Sequence, residues 1–265
     1  MVITASILLF IGAIFYANNR FGLLSMAGLN GKGLPAKTVK GSLASEPNIS
    51  VVHVDHSQWT ALLKKYVTDE GKVDYKRFLQ DKSKLDNYLN ALATQVPTND
   101  WSVQEQLAYY INLYNAQTVH LILRNYPLKS IKDIDGPWTK DIVKIGDKEL
   151  SLGALEHSVL REMNEPRIHF AINCASASCP KLLNVAYTPE KLDKQLEKVT
   201  LDFINSDNNS ISNDKLELSR IFKWYKGDFK NGELIQFIDP YTEVKISPKA
   251  KIEYKEYDWS LNEVD

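Results

Sequence analysis

The stretch SVQEQLAYYINLYNAQTVHLILRNYP, residues 102–127, decides the fold. Ser102-Val103-Gln104-Glu105 has the capping-box pattern, a serine at the N-cap with a glutamate three residues on. Leu107, Ala108, Ile111, Tyr114, Thr118, Val119 and Ile122 then fall on one stripe at 100° per residue. Pro127 forbids continuation past about Asn125. The stretch therefore predicts a long helix. Asn115 falls inside its apolar stripe and Asn112 at the edge, where an amide must find partners or cost about 2–7 kcal/mol.

Working outward, residues 57–67 predict a helix, and a second helical stretch runs from Tyr75 to about Ala93. Pro97-Thr98-Asn99-Asp100 is a break before the long helix. Residues 142–150 predict a tight hairpin around Gly146-Asp147. Ser151 caps a helix reaching Met163, on which Leu152, Leu155, Val159, Leu160 and Met163 form the apolar stripe. Glu156 lies in the middle of that stripe, whereas His157 and Arg161 point away from it. The apolar run 168–174 predicts a buried strand, Thr188-Pro189-Glu190 opens a helix to about Asn205, and the remainder alternates short strands with turns. The order is that of an α+β fold: a single mixed domain, residues 51–265, of amphipathic helices packed on a short, mostly antiparallel sheet and preceded by an N-terminal apolar helix.

The chain has 265 residues, 32 Lys plus Arg, 33 Asp plus Glu and a formal net charge of −1. Apolar residues are 44% and charged residues 25%, which excludes wholesale disorder and a polytopic membrane protein. The near-zero charge argues against nucleic acid as a partner, since phosphate neutralisation needs excess cations. Residues 2–16 carry no charge, and Arg20 is the first charged side chain. Residues 1–24 therefore read as a signal peptide or single membrane anchor, with Ser25-Met26-Ala27 suited to cleavage. Arg20, Lys32, Lys37 and Lys40 follow the run, which by the positive-inside rule holds the chain in the cytoplasm; a basic n-region lost from the start would reverse this. The reading adopted is a membrane-anchored or exported domain, with the periplasmic side favoured. Residues 25–50, rich in Gly, Ser, Lys and Pro, read as a flexible linker.

The densest chemistry lies in RIHFAINCASASCP, residues 167–180. Strand alternation puts His169, Ala171 and Asn173 on one face and Phe170, Ile172 and Cys174 on the other. Four small residues after Cys174 leave room for a ligand against the backbone, with amide N–H groups free for an anion or oxyanion. Pro180 suits the first turn of a helix, which would place Cys179 at a helix N-terminus with a lowered thiol pKa.

Several ordered motifs resemble those of the domain of unknown function 547 family: Asn112-Leu113-Tyr114-Asn115-Ala116, Leu155-Glu156-His157, Pro166–Ala171, Asn173–Pro180, Leu218-Ser219, Trp224-Tyr225, Asp228-Phe229 and Tyr257-Asp258-Trp259-Ser260-Leu261-Asn262. The resemblance covers roughly residues 55–265. The resemblance implies a single α+β domain, often exported or membrane-anchored in bacteria, with no established reaction. It also implies that Cys is usual at position 174 while Ser can replace Cys179, which favours Cys174 as a nucleophile.

Three functional readings compete. The first is a binding or scaffold module at a membrane, with a protein or peptide partner, in which a polar cluster of Cys174, Cys179, His157, His169, Glu156 and Asn115 holds the core. The second is a cysteine-dependent hydrolase or acyltransferase of papain-like or transglutaminase-like logic: Cys174 attacks, a histidine is the base, and Glu156 or Asn115 orients it. The third is a thiol redox module cycling Cys174 and Cys179. Two cysteines are too few for a disulfide framework, no spacing matches a zinc signature, and no cofactor motif is present, so no cofactor is expected. His53, His56 and His120 read as surface residues, and Trp224, Tyr225, Tyr257 and Trp259 as core packing.

Overall fold

The helix opened by Ser102 runs over Val103–Asn125, and its side chains are buried almost all the way round. A computed structural model describes residues 33–265. The apolar helix expected within residues 1–24 and the start of the linker lie outside the described residues. Ser102 Oγ accepts the Glu105 N–H at 3.0 Å, as a capping box requires. The glutamate does not return the bond: its carboxylate accepts the Val54 N–H instead, at 2.9 Å.

That exchange is repeated along the helix. Gln106 Oε1 accepts the Lys37 N–H at 2.8 Å, and Gln104 Nε2 donates to the Glu46 carbonyl at 2.9 Å. The Tyr110 hydroxyl donates to the Pro35 carbonyl at 2.7 Å, and the Val39 N–H to the Met163 carbonyl at 2.8 Å. Residues 33–50 are thus no free linker: Leu34, Val39 and Leu43 are buried, and this arm lies along the domain. Gly, Ser and Lys gave it the composition of a tether, but its backbone is satisfied by helix side chains that composition does not reveal.

Around the central helix pack α1 (Ser57–Tyr66), which buries Trp59, Leu62, Leu63 and Tyr66, and α2 (Lys82–Thr94), which buries Leu85, Tyr88 and Leu92. Both keep the i, i+3, i+7 spacing of an amphipathic helix. The central helix is α3, and α4 (Leu192–Ile204) begins later than residues 188–190 predicted, because Thr188 is held in a preceding turn by Gln195 Oε1. Arg167 binds Glu165, Asp193 and Glu197 at 2.7–3.1 Å and thereby ties the start of α4 to the turn that precedes the cysteines.

The fold is α+β, but the strands form two small sheets rather than one. β1 (Asp141–Ile145) and β2 (Lys148–Ser151) make the antiparallel hairpin, turned at Gly146 with φ +61°. β3 (Ser210–Ile211), β4 (Lys215–Leu218) and β5 (Lys251–Tyr254) make the second sheet, with β3–β4 antiparallel and β4–β5 parallel. Residues 168–174 are not a strand: Pro166–Phe170 is a tight helical turn, with the Ala171 and Ile172 N–H groups both on the Ile168 carbonyl. Glu165 caps that turn at Arg167 N and Pro166 pre-sets its backbone, so local end signals prevail over an apolar run that periodicity alone cannot assign. Among the described residues no helix is long and apolar enough to cross a membrane.

His56 is buried rather than superficial, with Nδ1 2.6 Å from the Tyr88 hydroxyl, and burial lowers its pKa to about 4. The unfolded chain takes up this proton near pH 6.5 and the folded chain only near pH 4. The corresponding stability, about 3 kcal/mol, is complete above the unfolded value and is lost as the pH falls between the two. Urea unfolding from pH 7 down to 4.5 should show this loss, and His56→Asn should flatten the profile; an unchanged slope would place the acid sensitivity elsewhere.

Candidate functional site

Two asparagines of α3 hold the irregular segments that form the site. Asn112 pairs through its amide with both backbone groups of Tyr187, accepting at 3.0 Å and donating at 2.8 Å. Asn115, one turn on, donates to the Ala171 carbonyl at 2.9 Å and accepts the Asn173 N–H at 2.8 Å. Asn173 continues the chain of contacts, accepting the Ala175 N–H and donating to the Pro180 carbonyl, each at 2.8 Å. Ala175, buried and left-handed at φ +58°, is held in that conformation by this bond and by the Asn262 N–H on its carbonyl. A non-glycine residue in that region costs about 1–3 kcal/mol, which the asparagine lattice offsets.

The loop so held is closed by a Cys174–Cys179 disulfide, with Cα atoms 6.2 Å apart. Cys179 lies in a bend closed by its N–H on the Ser176 carbonyl, and the next regular helix is α4, so the expected helix N-terminus at Cys179 is absent. Of the amides expected to be free, three are taken, Ala175 by Asn173, Ala177 by the Ser260 carbonyl and Ser178 by the Asp258 carbonyl, and the Cys174 N–H is on Cys179 Sγ. The C-terminal segment lies along this loop and bridges it at Ser176 and Leu261, a pairing of remote residues that no local pattern foretells.

The helix capped by Ser151 changes pitch at Glu156. Leu152–Leu155 is α-helical, Glu156–Leu160 is a π turn and Arg161–Met163 a 3-10 turn. π turns are rare and recur at functional sites. Glu156 is buried as predicted and meets the Tyr114 hydroxyl at 3.4 Å and the Tyr225 hydroxyl. Burial and then Glu156 itself raise both phenols above their ordinary pKa, so each stays a donor to the carboxylate. Gly153 sits against Trp138, where an added Cβ would come within 2.7 Å of the Trp138 carbonyl oxygen.

Glu156, His157, His169, Cys174 and Cys179 converge on one cleft of about 270 Å³. Asn115 does not reach it and acts through the loop. His157 points off the helix stripe, as the wheel predicted, but into this cleft rather than to solvent. Its Nδ1 lies 2.9 Å from Arg161 Nη1, so the guanidinium donates and the imidazole presents Nε2–H. Burial holds His157 below the ordinary histidine range. Arg161 forks onto Asp228 at 2.6 and 2.7 Å. The His169 Nε2–H also donates to Asp228, at 2.8 Å, and its ring stacks on Tyr225 with centroids 4.0 Å apart. Burial pushes the Asp228 carboxyl up, but these donors more than offset it and hold it well below the usual carboxylate range.

The sulfurs have other partners. Cys174 Sγ stands 3.1 Å from the Ser176 hydroxyl and 3.3 Å from that of Tyr257, a phenol pushed up to about 12 by burial. Neither histidine makes a hydrogen bond to sulfur. The remaining wall is aromatic: Trp138, Trp224, Tyr225, Tyr257 and Trp259 line the cleft, and Trp224 is 45% exposed. The expectation that the late aromatics are only core packing is therefore corrected; no periodicity marks residues brought together from such distant segments. On the other side of the disulfide loop lies a second cavity of about 460 Å³, sharing Cys179 and Pro180.

Removing the Asn115 amide leaves the Ala171 carbonyl and the Asn173 N–H buried without partners. Asn115→Ala should therefore cost about 2–5 kcal/mol in urea unfolding. A loss under about 0.5 kcal/mol, within the range of an indifferent surface substitution, would show that the loop holds itself.

No curated protein and no solved structure matches this chain significantly. Residues 98–204 match the model of a family described as a protein of unknown function, DUF547. This span holds Asn115, Glu156, His157, His169 and both cysteines but not Trp224, Asp228, Tyr257 or Trp259.

Proposed function

We propose that the domain is a binding module, membrane-anchored or exported, whose working surface is the aromatic cleft. The observation that carries this reading is the allegiance of the reactive groups. The two sulfurs are bonded to each other, and both histidines are engaged by the Arg161–Asp228 pair rather than by a thiol. A thiol hydrolase or acyltransferase needs a cysteine within reach of its base, and that pairing is what the site lacks. What remains is a concave wall of rings with a partly exposed indole, the usual make-up of a recognition surface. A protein, a peptide or a small molecule could present the matching group. Disulfides persist in oxidising compartments, which supports the periplasmic side and, with it, residues 1–24 as signal or anchor.

One observation favours the redox reading as a second possibility: the disulfide borders the cleft and would become two cysteines facing the same ligand on reduction. As a structural staple, its short loop is worth about 2 kcal/mol by chain entropy.

The test is thiol labelling of the full chain. Without reductant, iodoacetamide at pH 7 should label neither cysteine. After reduction with dithiothreitol, Cys174 should react at the rate of an ordinary thiol, and His157→Gln and His169→Gln should leave that rate unchanged. Fast labelling that either substitution slows would overturn the binding reading in favour of an activated nucleophile.

A further inference from the structure

We infer that the cleft receives an organic cation, an alkylammonium or methylated ammonium group seated among Trp138, Trp224, Tyr257 and Trp259 with Glu156 as its counter-charge. This rests on the binding-module reading and names its ligand class.

The first ground is an unbalanced charge. Glu156 is buried, yet its partners are the phenols of Tyr114 and Tyr225, and among the described residues no Lys or Arg forms an ion pair with it. Buried carboxylates ordinarily have a cationic partner. Arg161, the nearby guanidinium, is committed to Asp228 through two bonds. The cleft lining itself contains one carboxylate and no Lys or Arg. His157 adds no positive charge at neutral pH, being held below its ordinary range by burial.

The second ground is the wall. Aromatic faces carry negative electrostatic potential and attract ammonium groups, most strongly when water is excluded. The rings here do not lie flat on one another. Trp224 and Tyr257 are 4.9 Å apart and tilted by 53°, Tyr257 and Trp259 4.6 Å and 50°, Trp138 and Trp259 5.7 Å and 67°. Packed edge against face in this way, all four rings line the one cleft. The same contact already occurs on two rings of the wall, with Lys132 Nζ 4.8 Å from the centre of the Trp259 ring and the Arg161 guanidinium 5.5 Å from that of Tyr225. An anion would meet both Glu156 and the ring faces unfavourably. A methylated ammonium suits the site because its methyl groups need no hydrogen bonds from a mostly apolar wall.

The experiment titrates the full chain with choline, with its uncharged carbon isostere 3,3-dimethyl-1-butanol, and with a peptide bearing one trimethyllysine, following tryptophan fluorescence. Choline or the peptide should bind at least about 10-fold more tightly than the isostere. Tighter binding of the peptide points to a side chain of a partner, and comparable binding of choline to a free small cation. Glu156→Gln should remove the preference for charge, and Trp224→Ala, a change at the rim, should weaken the cation by about 10-fold while the protein stays folded. The second variant stands alone if the first fails to fold. Equal binding of cation and isostere overturns the cation assignment while leaving a binding cleft. Failure of all three probes to bind also overturns it, whereas the binding-module reading falls only to histidine-dependent labelling of Cys174.

Discussion

Everything at the site depends on two side-chain amides acting as lengths of backbone. Asn112 and Asn115 stand one turn apart on a buried helix, and each offers an acceptor and a donor to a segment with no ladder of its own. A carboxamide has the same pair of groups as a peptide bond, so it can stand in for a neighbouring strand. An aliphatic residue would fill the volume but strand two backbone groups away from water. The disulfide loop can therefore be irregular, tightly turned and buried at once. Gln104, Glu105 and Gln106 repeat the device at the start of the helix for the N-terminal arm. The helix is less an amphipathic rod than a spine whose polar residues are sockets.

The same economy governs charge. Asp228 gathers Arg161 and His169, and Arg161 in turn fixes the tautomer of His157. One carboxylate thus positions three side chains from two segments, and the aromatic ring of Tyr225 lies against His169 to complete the packing. The network fixes His157 Nδ1 and His169 Nε2 and leaves the buried His169 Nδ1 without a partner. It is good material for holding a cleft open in one shape.

Much of this was legible in the sequence, for reasons that can be named. The long helix announced itself by Ser102, the apolar stripe and Pro127; the hairpin by Gly146-Asp147 between apolar runs; buried Glu156 by its place in a stripe. These are local signals. The strand expected at 168–174 failed because a short apolar run fits any buried conformation, and Glu165 with Pro166 chose a helical turn. The wheel also assumes a constant 100° step, which the π turn at Glu156 breaks. The arm and the aromatic wall were missed for another reason: residues 34–54, 224–225 and 257–259 gain their roles only from partners remote in sequence, and composition carries no record of who meets whom.

The C-terminal segment extends this remoteness into time. Asn262 accepts from Tyr75 and donates to the Gly71 carbonyl, across 187 and 191 residues, while Tyr257 and Trp259 close the cleft beside the cysteines. Contacts of that separation close late, since loop entropy must be overcome first. A chain emerging from its N-terminus presents residues 174–179 well before the segment that covers them. The order of synthesis makes the cleft the final part of the molecule to exist.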